Sequence, residues 1–262
     1  MNEKTRNLQN LLKLVKELSS RDDMEWFKND LKNHFKISEP NGLSKIEDIY
    51  EYCIKKIIEQ QAKQFYSNFK IDELKLELIE DFIKMEQFKR EDRFEEFCVS
   101  MHQQIENITL YLFEKFKLEK IIEELQDVPS LLKYGGEKGK FVYNDSSIAL
   151  GRFIFMKFNI EKYPNFKIDN TTKWYYNNKL RAVLYYLYFD QKIIFNSNSY
   201  DNLYNLGNNL YLMRNKVHRG PNNITERQKI VYDKIIPNHN KYYFKFLGFL
   251  EDFVSKINEN LK

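Results

Sequence analysis

The stretch FEEFCVSMHQQIENITLYLFEKF, residues 94–116, decides the class of fold that this chain adopts. Its apolar side chains recur every three or four residues, which is the spacing that places them on one face of an α-helix. That face consists of Phe97, Met101, Ile105, Ile108, Leu112 and Phe116. Other elements must cover such a stripe, so the stretch predicts a helix that packs inside a bundle.

The same helical spacing returns along most of the chain. It begins in the first turns with Leu8, Leu11 and Leu18, and it ends with a stripe through Phe246 and Phe253. Thr225 followed by Gln228 is a capping box that starts a helix. Strand-like alternation is scarce, and residues 129–140 interrupt the helical pattern. We therefore predict an all-α fold, with a helical bundle over residues 91–262 and an N-terminal helical extension over residues 1–90.

Composition excludes several classes of protein. The chain has 262 residues and only 2 Cys, which is too few for a disulfide scaffold. The longest apolar run, Ala182–Phe189, is shorter than the ~18 residues that a membrane-spanning helix needs. No secretory signal is visible at the N-terminus. No CxxC pair, HExxH, Walker A or GxSxG motif is present. We expect a cytoplasmic protein with no membrane contact, no metal and no cofactor.

Charge is distributed unevenly along the chain. Residues 1–150 carry 24 Lys+Arg against 29 Asp+Glu, whereas residues 151–262 carry 18 against 9. The second part therefore has a net charge of +9, and it also contains 12 of the 18 Tyr. Cations that hold phosphates and rings that stack on bases are what a single-stranded nucleic-acid surface needs. A solvated lysine surface beside a Tyr-rich core explains the same composition, and both interpretations stay open.

The sharpest local pattern is RNKVHRG, residues 214–220, at the end of a predicted helix. In that helix the apolar residues Leu203, Leu206, Leu210, Met213 and Val217 form the predicted buried stripe. A second line along its flank contains Gly207, Tyr211, Arg214 and His218. Arg214 and His218 are i, i+4 neighbours, so this spacing places a guanidinium and an imidazole on the same face. Gly207 is expected to leave room for a ligand to approach.

This pair suits the cleavage of RNA without metal. A histidine moves protons near neutral pH, and an arginine fork stabilises charge that develops on phosphoryl oxygens. We predict Arg214 and His218 as catalytic residues, with Asn215 orienting either of them. Lys216, Arg219 and Tyr211 are predicted to contact the RNA. The alternative is structural, since cations in the last turn of a helix are favoured by its macrodipole.

Arg214, Asn215 and His218 at the end of a bundle helix resemble the signature of the HEPN-domain family. Three residues separate Arg214 from His218, a shorter spacing than is usual in that family. The resemblance implies an all-helical fold, a homodimer whose two motifs form one composite site, and a metal-independent endoribonuclease. It further implies a role in toxin–antitoxin, abortive-infection or CRISPR-linked defence, with an antitoxin or activator as a further partner. Arg214 and His218 would be catalytic, with Asn215 in support.

A second pair lies on the helix that contains the opening stretch. His102 and Glu106 are i, i+4 neighbours that flank its apolar face. If this helix faces the motif helix, Glu106 could orient His218 or Arg214, so we regard the two as supporting residues. A solvated face or a buried hydrogen bond would explain the pair without any function.

Three functions follow as hypotheses. The first is an RNA endonuclease that uses Arg214 and His218. The second is a non-catalytic helical protein that binds RNA or a partner. The third is an assembly role in which the acidic first part of one copy pairs with the basic second part of another, and added salt would weaken that pairing.

Overall fold

The structure is a computed structural model. It describes residues 10, 13–14, 17, 21–26, 29–30, 43–125, 132–134, 141–143, 154, 168–187, 197–219 and 224–261. The backbone alone is described for residues 43–50, 132–134, 141–143, 197–201, 218–219 and 227.

The described residues are almost entirely helical, which confirms the all-α prediction. The α-helices are α1 (Leu43–Phe65), α2 (Asp72–Arg90), α3 (Phe94–Lys115), α4 (Leu118–Leu125), α5 (Tyr176–Tyr185), α6 (Ser197–Arg219), α7 (Glu226–Ile235) and α8 (His239–Asn260). Short 3₁₀ turns cover Asp22–Met24 and Ile236–Asn238. None of the described helices combines the length and the apolar character that crossing a membrane requires.

A small hairpin is the one region of β-strand among the described residues. Strand β1 (Leu132–Tyr134) pairs with β2 (Phe141–Tyr143) in antiparallel register, with Lys133 opposite Val142. It lies where the helical pattern was predicted to break. Both three-residue segments contain aromatic residues, and β2 adds the β-branched Val142, all of which favour the extended conformation. Each segment is too short to stand out from sequence.

Helix α3 is the centre of the bundle. It packs against α2, α4, α5, α6 and α8. The side chains of Phe97, Met101, Ile105 and Ile108 are fully buried, as the opening stretch predicts. Phe116 at the end of that stripe is only half-buried. A helix that is covered on several sides fixes the positions of its neighbours, and α3 therefore positions α6, the helix that carries the motif.

The chain divides into two compact units, residues 1–64 and residues 65–262. The predicted boundary lay at residue 90. The difference arises because α2 packs along α3 within the second unit. Tyr66, in the turn that precedes α2, also donates a hydrogen bond to Gln104 Oε1 of α3 (2.7 Å). In the first unit, the Tyr52 hydroxyl donates to Asp30, and burial together with this carboxylate raises the pKa of Tyr52 to about 12.

Helix α6 is held between α5 and α8 at Gly207. A Cβ atom at this position would lie 2.7 Å from Leu180 Cδ2 and 3.2 Å from Phe249 Cζ. The space beside Gly207 is thus filled by the core, and the expectation that it admits a ligand is wrong. Glycine is needed here because the two neighbouring helices approach the α6 backbone closely.

The turn into α7 has the predicted cap. Thr225 Oγ1 accepts a hydrogen bond from the Gln228 backbone N–H (3.3 Å), and the Thr225 backbone N–H donates to Gln228 Oε1 (2.8 Å). This reciprocal pair satisfies two backbone donors that a helix start leaves open. It fixes the point at which the chain resumes helix after the motif.

Candidate functional site

Helix α6 is continuous from Ser197 to Arg219, so positions 214 and 218 are separated by one helical turn. Leu203, Leu210 and Met213 are buried, as predicted. Val217 was predicted to be buried, but 41% of it is exposed. The Val217 side chain is therefore partly open to solvent near the end of α6.

Arg214 and Asn215 are brought together at this end of α6. Arg214 is half-buried, and its Nη1 donates to Asn215 Oδ1 at 3.3 Å. Asn215 is itself buried, with 3% exposure. A buried amide that accepts from a guanidinium restricts the rotamers of the arginine. The predicted supporting role of Asn215 in the chemistry stays a prediction.

Lys216 is engaged by a carboxylate that the sequence analysis did not find. Its Nζ forms an ion pair with Glu95 on α3, and the two side chains are 28% and 41% exposed. Exposed ion pairs contribute only ~0–1 kcal/mol. A phosphate could therefore displace Glu95 from Lys216 at small cost. No spacing rule would have found Glu95, because it is 121 residues away in sequence.

His218 and Arg219 are the last two residues of α6. Their side chains lie outside the described part of the structure. Their predicted roles, catalysis for His218 and RNA contact for Arg219, stay predictions.

Tyr211 lies one turn before Arg214 and belongs to a cluster of rings between three helices. Its ring stacks on Tyr176 of α5, with centroids 5.4 Å apart and planes 26° apart. The His102 ring of α3 lies 5.7 Å from Tyr211 and 4.6 Å from Tyr176. Tyr211 is half-buried in this cluster. The ring predicted to contact RNA thus has protein partners that fix the orientation of α6.

The predicted supporting pair is part of the same cluster. His102 is buried with 1% exposure, and its Nδ1 lies 3.6 Å from Glu106 Oε2. The Glu106 side chain is 25% exposed, so it is the solvent-facing member of the pair. The structure therefore places His102 of α3 beside Tyr211 of α6, with Glu106 on the solvent side of His102. The partner of Arg214 that the structure shows is Asn215.

Tyr176 is the member of this cluster that the sequence analysis missed. Burial raises its pKa well above the ordinary value, and the Glu106 carboxylate adds to that effect. Its hydroxyl is buried and has no hydrogen-bond partner among the described residues. Such an atom destabilises the fold, since buried polar groups are nearly always partnered. The only signal in the sequence was the adjacent pair of tyrosines, Tyr175 and Tyr176.

Replacing Tyr176 and Tyr66 by phenylalanine compares a buried hydroxyl that has no hydrogen-bond partner in the described part of the chain with one that has a partner. We expect Tyr176→Phe to leave the free energy of unfolding unchanged or to raise it by up to ~1 kcal/mol, because it removes an unpaired buried hydroxyl. We expect Tyr66→Phe to lower it by ~1–3 kcal/mol, because Gln104 Oε1 loses its donor inside the core. Urea unfolding at neutral pH measures both. A larger loss for Tyr176→Phe than for Tyr66→Phe would contradict the assignment.

The pH dependence of the free energy of unfolding provides a second test on the same two variants. Both tyrosines have a raised pKa when folded, so the folded state prefers the neutral phenol. Unfolded tyrosine ionises near pH ~10, and the free energy of unfolding should fall as the pH rises above that value. Each Phe variant should show a shallower decline than the wild type.

A cleft of about 340 Å³ lies at the start of α3 and is lined by Asp92, Arg93, Phe94, Glu95, Glu96, Ile236 and His239. His239 Nε2 lies 3.3 Å from Asp92 Oδ1, and the Tyr243 hydroxyl donates to the same oxygen. These contacts hold Asp92, whose φ of 56° is left-handed. Glu95 connects this cleft to Lys216 of the motif. In the described part of the chain, no group of three or more His, Cys, Asp or Glu could hold a metal ion.

No family model matches the chain, and no curated protein or solved structure is significantly similar to it.

Proposed function

We propose that the protein is a metal-independent endoribonuclease, of the HEPN type that the motif resembles, which uses Arg214 and His218. The observation that carries this proposal is the end of α6, where position 218 follows one turn after an arginine that is oriented by the buried Asn215. A positioned arginine beside a group that titrates near neutral pH is the minimal equipment for cleavage by the 2′-hydroxyl.

The proposed reaction transfers two protons, one from the attacking 2′-hydroxyl and one to the leaving 5′ oxygen. An imidazole accepts the 2′-hydroxyl proton as the O2′–P bond forms, and the P–O5′ bond breaks. The leaving 5′ oxygen takes a proton from an imidazolium. The products are a 2′,3′-cyclic phosphate and a 5′-hydroxyl. Arg214 holds the charge that develops on the phosphoryl oxygens, where removal of one such donor typically slows a reaction by ~10²–10³.

The proposal extends to the assembly. A homodimer that joins two α6 ends would place both motifs around one phosphate, in a cytoplasmic toxin or antiviral defence protein. An antitoxin or activator would then control access. The exposed Val217, one residue before His218, leaves the surface at this end of α6 partly apolar, which suits contact with a second copy.

The test is cleavage of a mixed single-stranded and structured RNA in excess EDTA. We expect the wild type to cleave in EDTA and to leave 5′-hydroxyl ends. We expect His218→Ala to be slower by ~10²–10⁴, the usual contribution of a general acid or base. Cleavage that EDTA abolishes, or products with 5′-phosphates, would refute the proposal. Equal rates for the wild type and His218→Ala would refute the role of His218.

A non-catalytic protein that binds RNA or a partner is the second candidate. It is favoured by the short spacing between Arg214 and His218 and by the pairing of Lys216 with Glu95, which occupies one predicted phosphate contact. RNA binding that falls steeply with added salt, without turnover and without sensitivity to His218→Ala, would support it.

A further inference from the structure

The outer face of the first half of α8 carries an exposed ring between two exposed cations. Lys241, Phe244, Lys245 and Gly248 follow i, i+3, i+4, i+7 spacing and therefore share one face of the helix. Phe244 is 70% exposed, and both lysines are exposed. We call these four residues the α8 platform.

The positive charge of the platform is not neutralised locally. Residues 239–250 contain no Asp or Glu, and the first acidic residue of α8 is Glu251. Within the described part of the chain, neither Lys241 nor Lys245 has a carboxylate partner. Lys256, about three turns beyond Lys245 on α8, does have one, with its Nζ 2.6 Å from Glu259 Oε2.

A third cation lies beside the ring. Lys89 of α2 places its Nζ 5.8 Å from the centroid of the Phe244 ring, and it also pairs with Glu86 at 3.0 Å. A lysine near one side of the ring leaves the rest of its surface open to solvent. An isolated exposed phenylalanine is ordinary on a protein surface, but one that lies among three lysines combines a stacking surface with anion contacts.

Gly248 supports a binding role for the α8 platform independently of its charge and its exposed ring. It lies in the interior of α8, where glycine is less favourable than alanine. A Cβ atom at this position would meet nothing within 4 Å. Packing therefore does not require glycine here, in contrast to Gly207. Its effect is to leave bare backbone one turn after Phe244, so that a flat group can approach the helix.

We propose that the α8 platform binds single-stranded RNA, with a base stacked on Phe244 and neighbouring phosphates held by Lys241 and Lys245. Stacking on an aromatic ring is tolerant of sequence, and lysines neutralise phosphates without reading bases. This inference rests on the proposed function for its ligand, RNA. It adds a surface that holds the strand apart from the residues that cleave it.

The test measures affinity separately from cleavage. The probe is a short fluorescein-labelled 2′-O-methyl oligouridine, which lacks the attacking hydroxyl and cannot be cut. We expect Phe244→Ala and Phe244→Leu each to weaken binding by about tenfold in fluorescence anisotropy, because both lose the stacking surface. We expect the double variant Lys241→Gln, Lys245→Gln to reduce the slope of log K against log salt by ~1.4, because two phosphate contacts on a single strand are lost.

Matched variants control for exposure, charge and folding. Tyr175→Ala removes another exposed aromatic ring, 67% exposed, and should bind as the wild type does. The double variant Lys229→Gln, Lys234→Gln removes the same amount of charge from α7. It should bind more nearly like the wild type than the double variant of Lys241 and Lys245 does. Gly248→Leu, which favours the helix but covers the bare backbone, should bind more weakly than the wild type.

Several outcomes would overturn the inference. They are no binding by the wild type, equal affinity of wild type and Phe244→Ala, or equal affinity for single-stranded and duplex probes. A Phe244→Ala variant that instead loses self-association would assign the platform to a second copy of the chain. If the platform variants lose binding but natural RNA is never cleaved, the proposed function fails while this inference stands. If natural RNA is cleaved but Phe244→Ala binds the probe as tightly as the wild type, this inference fails while the proposed function stands.

Discussion

Arg214→Ala is expected to slow RNA cleavage by ~10²–10³ while leaving the fold intact. The guanidinium is half-buried and aligned by Asn215 Oδ1, so it can meet the charge that grows on the phosphoryl oxygens without first reorganising. Alanine removes both the charge and the hydrogen-bond donors. The measurement is single-turnover cleavage of one RNA with protein in excess, which separates the chemical step from binding.

Arg214→Lys distinguishes geometry from charge. Lysine keeps the positive charge but loses the planar fork, and we expect it to recover only part of the rate. Arg90→Ala is the matched control, because it removes an exposed arginine from α2 at the same change in net charge. If Arg214→Ala cleaves RNA as fast as Arg90→Ala does, Arg214 takes no part in the chemical step.

Gly207→Ala is expected to lower the free energy of unfolding by ~1–2 kcal/mol. Alanine gains ~1 kcal/mol over glycine in a helix, whereas an added methyl in a well-packed core typically costs ~1–3 kcal/mol. Here the methyl would meet Leu180 Cδ2 at 2.7 Å and Phe249 Cζ at 3.2 Å, and both of those side chains are buried. Overpacking should therefore exceed the gain in helix propensity. Urea unfolding measures the difference.

Gly248→Ala is the opposite case on the neighbouring helix. No atom would lie within 4 Å of the new methyl, so only the helix propensity changes and we expect a gain of ~1 kcal/mol. If both variants changed stability in the same direction, the close contact at Gly207 would not be what decides its effect. Because α6 carries the motif, Gly207→Ala should also displace Arg214 and reduce single-turnover cleavage.

The placement of the site could be predicted only in part. The i, i+4 relation of Arg214 and His218 follows from helix geometry, and α6 has the expected continuity. The pairing of Lys216 with Glu95 and the stacking of Tyr211 on Tyr176 join residues far apart in sequence. Periodicity describes one helix at a time and contains no information about which helix lies opposite it.

Burial along α6 was also predicted incorrectly at two positions, because periodicity does not show which helices lie opposite. Val217 continues the apolar stripe of α6, yet it is 41% exposed because the neighbouring helices leave its side chain partly uncovered. Gly207 was expected to make room for a ligand, yet its space is filled by Leu180 and Phe249. A stripe indicates which face can be buried, whereas the lengths and crossings of its neighbours decide how much of it is.

The sequence by itself determined that the chain is helical, that α3 has a buried face, and that cations gather at the end of α6. These properties depend on local periodicity, capping and charge, which act over a few residues. Only the tertiary structure decided that α2 joins α3 in one unit, that His102 is buried beside Tyr176 and Tyr211, and that Gly248 opens onto solvent while Gly207 does not. Those outcomes depend on which helices meet, because burial is a property of the contact between two surfaces.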